Sequence, residues 1–188
     1  MGIAQHSLNL GFLAWFCLVP FIFVIHKINS YFKIAKYFFL WGCIYHLITL
    51  FWLSSNIGTD RFSAIISMIA AIIYLSTNIV ITGLIWYRIK KYSMINSVVI
   101  LAIVWTCIEF IKSYGLLAFP WISLANTQID YLYLIQISEY VGIYGITFWI
   151  ILINGLIFLF IKNSLFLILS KIKLFFVPIN SISSIFGF

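Results

Sequence analysis

Apolar residues run along this chain in long, nearly unbroken blocks. Short polar breaks separate them. The blocks predict spans at 8–25, 37–57, 62–87, 93–113, 141–161 and 165–182. Each is close to the roughly twenty residues that an α-helix needs to cross a bilayer core of about 30 Å. A transmembrane barrel would alternate apolar and polar residues instead. The predicted class is therefore all-α: a polytopic membrane helix bundle of about six spans, one transmembrane domain over residues 1–188 with no soluble domain. Pro20 should kink or shorten the first span, and Lys171 and Lys173 interrupt the last. One stretch breaks the pattern. Residues 114–130 mix Gly115, Pro120, Asn126, Thr127, Gln128 and Asp130 with Leu116, Leu117, Phe119, Trp121, Ile122 and Leu124. This reads as an apolar loop that lies in the interface or re-enters it. Such backbone is tolerated at membrane depth only where protein or a watery cavity covers it.

Composition agrees with the pattern. The chain is 64% hydrophobic and 8% charged, against about a quarter charged in soluble proteins. Eleven Lys and Arg against four Asp and Glu give a net charge of +7. That excess is a topology signal, not a nucleic-acid signal, because the bases cluster in short breaks between spans. Lys27, Lys33 and Lys36 follow the first span; Arg88, Lys90 and Lys91 follow the third; Lys162 follows the fifth. Alternation of these loops places them on the cytoplasmic side of the membrane. The 114–130 loop and both termini then face outside, and an outward N-terminus implies a further span upstream. The first apolar run has no small-residue cleavage site and suits an uncleaved signal-anchor. Cys17, Cys43 and Cys107 lie inside apolar runs without paired or zinc-type spacing. His6, His26 and His46 are scattered. No metal and no cofactor is expected.

Chemistry concentrates in residues 105–161. Cys107, Glu109 and Lys112 suggest a miniature catalytic set, but residues two apart on a helix point about 200° apart. Cys107 and Glu109 therefore cannot converge on one atom, and no catalytic residue is expected in this chain. Glu109 and Lys112 are three apart and can pair on one face. They either tie the helix to the following loop or form a polar wall of a lipid pocket. We expect the carboxylate to accept loop N–H groups, with Lys112 reaching toward head groups. Phe119, Pro120 and Trp121 suit an interfacial anchor or an acyl-chain contact. Asn126 and Gln128 suit loop caps or head-group contacts. Gly142 and Gly145 suit close helix approach.

The order of these residues resembles the membrane domain of the apolipoprotein N-acyltransferase family. The resemblance rests on Trp105, Glu109, Phe110, Lys112, Phe119, Pro120, Trp121, Gln128, Gly142, Tyr144, Gly145, Thr147 and Phe148. Trp15 to Pro20 and the Gly42 to Trp52 spacing extend it upstream. It implies bacterial lipoprotein maturation: an acyl chain passes from a phospholipid to the N-terminal cysteine of a lipoprotein. It also implies that the family's Glu-Lys-Cys chemistry belongs to a nitrilase-like domain. That domain would begin about where this chain stops, and the first span looks absent, so a fragment or truncated form is expected. Glu109, Lys112, Phe119, Pro120, Trp121, Asn126, Gln128 and Tyr144 are then candidates for the lipid or substrate pocket. Phospholipid, a lipoprotein and a separate nitrilase-like chain are the implied partners. The competing readings are a non-enzymatic lipid-binding scaffold and a small transporter, the latter without the expected intramembrane charge ring or paired broken helices.

Overall fold

The computed structural model describes residues 1–5, 10–90, 94–115 and 117–175, and every regular element among them is helical. The helices are α1 (Val19–Lys27), α2 (Tyr31–Leu50), α3 (Arg61–Ile89), α4 (Met94–Ile111), α5 (Leu132–Gln136) and α6 (Ser138–Phe175). Short 3₁₀ segments cover Ile3–Gln5, Gly11–Trp15, Phe51–Ser55 and Leu124–Gln128. Three helical stretches are long and apolar enough to cross a membrane: Tyr31–Ser55, Arg61–Ile89 and Ser138–Leu165.

The third and fourth expected spans coincide with α3 and α4 to within a few residues. The others need correction. Lys33 and Lys36 belong to the first turns of α2, not to a loop, and only residues 28–30 separate α1 from α2. The expected first span is not one helix. Its backbone runs as the 3₁₀ segment Gly11–Trp15, turns at 16–18, and restarts as α1 with Pro20 in its first turn. Proline is tolerated there because the first-turn N–H groups have no helical acceptor anyway. The expected turn at Lys162 is also helical, so spans 141–161 and 165–182 merge into α6 as far as Phe175. Residues 176–182 of the sixth span, with the C-terminus, lie outside the described residues. So do His6 and Leu116.

The helices α2 and α3 form the most extensive pair, and α4 packs between α3 and α6, with α1 against α6. Small residues let the first pair approach closely. Gly42 faces Ser76, and a Cβ on Gly83 would sit 2.5 Å from the Phe38 ring. The core at this level is aromatic and aliphatic: Phe38, Leu75, Trp86, Ile150 and Phe158 are fully buried. Trp86 donates its indole N–H to the Ser97 carbonyl at 2.9 Å, which joins α3 to α4.

The bundle has two chemically distinct ends. Asp60 caps α3, its Oδ2 accepting from the Ser63 N–H at 2.9 Å. That N–H holds the Asp60 carboxyl below its usual value. From Asp60, the 29 residues of α3 rise by about 44 Å to Arg88 and Lys90. Tyr31 of α2 meets Tyr87 at this far end, which puts Lys33 and Lys36 there too. The near end holds Asp60, the C-terminal end of α4 and the 112–131 loop.

Candidate functional site

Buried positions on α4 fall at Ser97, Val98, Leu101, Ala102, Trp105 and Glu109. Those intervals of three and four trace one helix face, so Glu109 continues an apolar stripe into the protein. It is 4% exposed. Cys107 lies on the exposed side. A carboxylate taken into such surroundings must find donors, or its desolvation is uncompensated. Glu109 finds three. Its Oε2 accepts from the Ser123 and Thr147 hydroxyls, both at 2.8 Å, and its Oε1 accepts from the Leu124 N–H at 3.1 Å. One side chain thereby joins α4, the loop and α6. Bonds to an ionised acceptor are the stronger, charge-assisted kind.

Lys112 closes the junction but does not reach outward. Its Nζ lies 3.9 Å from Glu109 Oε1, and its side chain is only 9% exposed. The ammonium instead donates to the Ile122 carbonyl. The expected reach to head groups is therefore replaced by a bond to the loop. Phe119 N donates to the Lys112 carbonyl at 2.9 Å, which pins the other side of the turn. The loop core, Ile122 to Ala125, is buried against the helices.

Gln128 forms a second knot. It is fully buried, donates to the Gly11 carbonyl at 2.9 Å, and accepts from the Trp15 indole at 3.0 Å. The 3₁₀ segment Gly11–Trp15 is thus held by the loop. Asn154, in the middle of α6, completes the repair of the broken first span. Its Oδ1 accepts from the Leu18 N–H at 2.9 Å and its Nδ2 donates to the Ala14 carbonyl at 2.7 Å. Those are backbone groups that the break at 16–18 leaves without helical partners. At the N-terminus, Gln5 donates to the Ser123 carbonyl at 2.7 Å and to the Tyr45 hydroxyl.

Beside the Glu109 junction lies a cavity of about 290 Å³. The 3₁₀ segments Ile3–Gln5 and Phe51–Ser55 and the loop enclose it. Its wall includes Gln5, Trp52, Phe119, Trp121, Asn126 and Asp130. Trp121 stacks on Trp52 with ring centres 6.1 Å apart and planes 18° apart. Asn126 donates to the Trp121 carbonyl at 2.7 Å, which shapes the rim.

The sequence candidates therefore separate. Phe119, Trp121 and Asn126 line the cavity. Glu109, Lys112 and Gln128 stand behind it and hold the loop. Pro120 is exposed and lines nothing described. Tyr144 lies apart, its hydroxyl donating to Ser113 at 2.7 Å and its ring edge-on to Phe110. The glycines also divide from expectation. A Cβ on Gly142 would meet nothing within 4 Å. Gly142 instead takes φ 69°, ψ 171° and kinks α6, a conformation that favours glycine. A Cβ on Gly145 would meet Val141 of its own helix. Among the described residues no three His, Cys, Asp or Glu side chains gather as a metal site.

Sequence reasoning passed over Ser123, Thr147 as a ligand of Glu109, Asn154 and Gln5, and it did not place Trp52 at the hollow. Asn154 had a usable signal, a lone amide within an apolar run, since polar groups at that depth pair with something. Gln5 had none, and the position of Trp52 at a span end did not point to the loop, because only the fold brings the two beside it.

A helical membrane unit with one carboxylate junction behind an aromatic-rimmed hollow is the class these features define. The family described as apolipoprotein N-acyltransferase N-terminal domain matches residues 1–156, and the chain belongs to that family. The apolipoprotein N-acyltransferase of Geobacter metallireducens is 25% identical over 166 residues, 87% of this chain and 32% of that protein. That of Chlorobaculum tepidum is 22% identical over 154 residues, covering 81% of this chain and 28% of that protein. Apolipoprotein N-acyltransferase 2 of Treponema pallidum is 43% identical over 54 residues, 29% of this chain and 10% of that protein. The chain thus spans at most about a third of the length of these relatives. No solved structure matches.

Proposed function

We propose that this chain is the membrane part of an apolipoprotein N-acyltransferase system in a bacterial inner membrane. In this reading its hollow receives the lipidated N-terminus of a lipoprotein. The acyl chain comes from a phospholipid. The reacting nucleophile is supplied by a nitrilase-like domain outside residues 1–188, in the same protein or on a partner chain. The observation that carries the reading is the family match over residues 1–156, which includes α4, the loop and the first part of α6. The separation of charge supports the orientation: the basic end of the bundle faces the cytoplasm and the 114–130 loop faces outside. Within this reading Phe119 and Trp121 offer ring surface to apolar chains, while Asn126 and Asp130 offer polar atoms to the peptide end.

The experiment is site-specific photo-crosslinking in membranes that contain a diacylated lipoprotein. A photoreactive residue replaces Phe119, Trp121 or, as a control at the basic end, Phe32, which is 80% exposed. Lipoprotein adducts are expected at positions 119 and 121 and not at 32. Equal yields at all three positions overturn the assignment.

A further inference from the structure

All four acidic residues of the chain, Asp60, Glu109, Asp130 and Glu139, lie at or near one end of the bundle. The opposite end gathers cations from several helices. Lys90, at the end of α3, donates to the backbone carbonyls of His26 and Ile28 at the C-terminal end of α1, the former at 3.4 Å. Its Nζ also lies 5.3 Å from the Trp86 ring centre and 4.8 Å from that of Tyr87. Lys162 of α6 reaches the side chain of the same histidine, with 2.8 Å between its Nζ and His26 Nε2. It stands 5.8 Å from the Phe158 ring centre. Two ammonium groups therefore converge on one histidine. Glu139 precedes Lys162 on α6 by 23 positions, about 35 Å of helix.

The Lys162–His26 bond is a poor substitute for an ion pair. An ammonium has hydrogens only to give, so Nε2 must accept. The imidazole proton then sits on Nδ1, which is buried without a hydrogen-bond partner. An anion beside Lys162 resolves both problems. It accepts from the ammonium and from an Nε2–H, and Nδ1 no longer carries a proton that needs an acceptor. Basic pockets between membrane helices suit lipid phosphates. Tyr31, which packs on Tyr87 at the same end, is about half exposed, as suits an aromatic side chain that meets head groups.

We propose that the basic end carries a docking site for the phosphate of an anionic phospholipid, formed by Lys162 of α6 and Lys90 of α3 beside His26 of α1. This site lies at the opposite end from the hollow and does not depend on the function proposed for it. The lipid here is a bound ligand and not an acyl donor.

The test uses the full chain in phosphatidylcholine vesicles doped with spin-labelled phosphatidylglycerol or spin-labelled phosphatidylcholine. Electron spin resonance reads their relative association. The wild type is expected to prefer phosphatidylglycerol. Lys162→Gln should lower that preference about fivefold, since one cation at the surface contributes roughly 1 kcal/mol. Arg61→Gln, at the acidic end, should leave it unchanged. Lys90→Gln should act in the same direction, but Lys90 also holds the end of α1, so Lys162→Gln is the deciding variant. An unchanged preference in Lys162→Gln overturns the site. An equal fall in Arg61→Gln shows a diffuse field and overturns it as well. Loss of the preference in inorganic phosphate, but not in sodium chloride of equal ionic strength, assigns the pocket to a free anion and overturns the lipid.

Discussion

The α2–α3 pair and the region built from α4, the loop and α6 bury polar side chains in opposite ways. In α2 and α3 the hydroxyls turn back on their own helix, and the side-chain contact that crosses the pair, His46 Nδ1 to the Ser76 hydroxyl, is long at 3.4 Å. Thr49 bonds the Tyr45 carbonyl at 3.1 Å, Ser76 that of Ile72 at 2.6 Å, and Thr82 that of Asn78 at 3.3 Å. In the other region polar side chains reach across the sequence. Glu109 meets Ser123 and Thr147, Gln128 meets Gly11 and Trp15, and Asn154 meets Ala14 and Leu18. The difference follows from the backbone. Two regular helices satisfy their own N–H and C=O groups and need only close packing to associate in an apolar solvent. A loop and a broken helix leave such groups open, and each one costs several kcal/mol if it stays open in hydrocarbon. Long-range polar bonds appear where irregular backbone appears. The same irregular backbone shapes the hollow.

The sharpest way to break this contrast is to remove the carboxylate. Glu109→Leu leaves two hydroxyls, one backbone N–H and the Lys112 ammonium without their shared acceptor. Removing one partner of a buried charge pair typically costs about 3–5 kcal/mol, and the loop should bear most of it. Protease nicking within residues 114–130 is expected to rise steeply in membranes that expose the loop, while total inserted protein stays constant. Glu109→Gln retains a carbonyl acceptor and should cost only about 1–2 kcal/mol. Nicking of Glu109→Leu at the wild-type rate removes the junction from the account.

Much of this region was legible in the sequence. The 114–130 stretch announced itself by mixing Gly115 and Pro120 with bulky apolar residues. Glu109 stood out as the acid within the fourth span, and its spacing from Lys112 placed both near the loop. What could not be read were the partners. Ser123 and Thr147 are ordinary hydroxyls until the fold sets them 2.8 Å from the carboxylate. The boundaries of the first and last expected spans failed for a related reason. Apolar runs report burial in lipid, not helical continuity. A single amide at Asn154 permits a break at 16–18 that hydropathy does not register. Nor does Lys162 end a helix merely by being charged, because Phe158 and His26 give its ammonium a place to rest.

The second test exchanges a neutral amide for an isosteric apolar group. Asn154→Leu frees the Leu18 N–H and the Ala14 carbonyl in a fully buried position. A buried group left unpaired costs about 1–3 kcal/mol, so a loss near 2 kcal/mol is expected. That is less than for Glu109→Leu, because no charge is stranded. Thermal unfolding of the detergent-purified chain, followed by tryptophan fluorescence, reads the shift. Trp15, held by Gln128 next to the break, should move in the early part of the transition. A melting curve identical to wild type would mean that the break is held by packing alone.

The smallest effect should come from the regular half, where Thr82→Val is the matching substitution. Thr82 is 1% exposed, so burial is as deep as for Asn154 and cannot account for a different outcome. Valine keeps the branched shape, so no cavity opens and χ1 freedom is unchanged. The lost hydroxyl was bonded to the Asn78 carbonyl, which lies four residues back and already serves as the helical acceptor for the Thr82 N–H. Nothing is therefore left without a partner, and removing both the donor and its need is close to neutral. The expected change is about 0.5 kcal/mol or less, in line with the small average worth of polar bonds between or within membrane helices. Measured in the same detergent as Asn154→Leu, the two variants should differ several-fold in their cost. Equal losses would show that depth of burial, and not the continuity of the backbone that each side chain serves, decides where polar groups matter in this bundle.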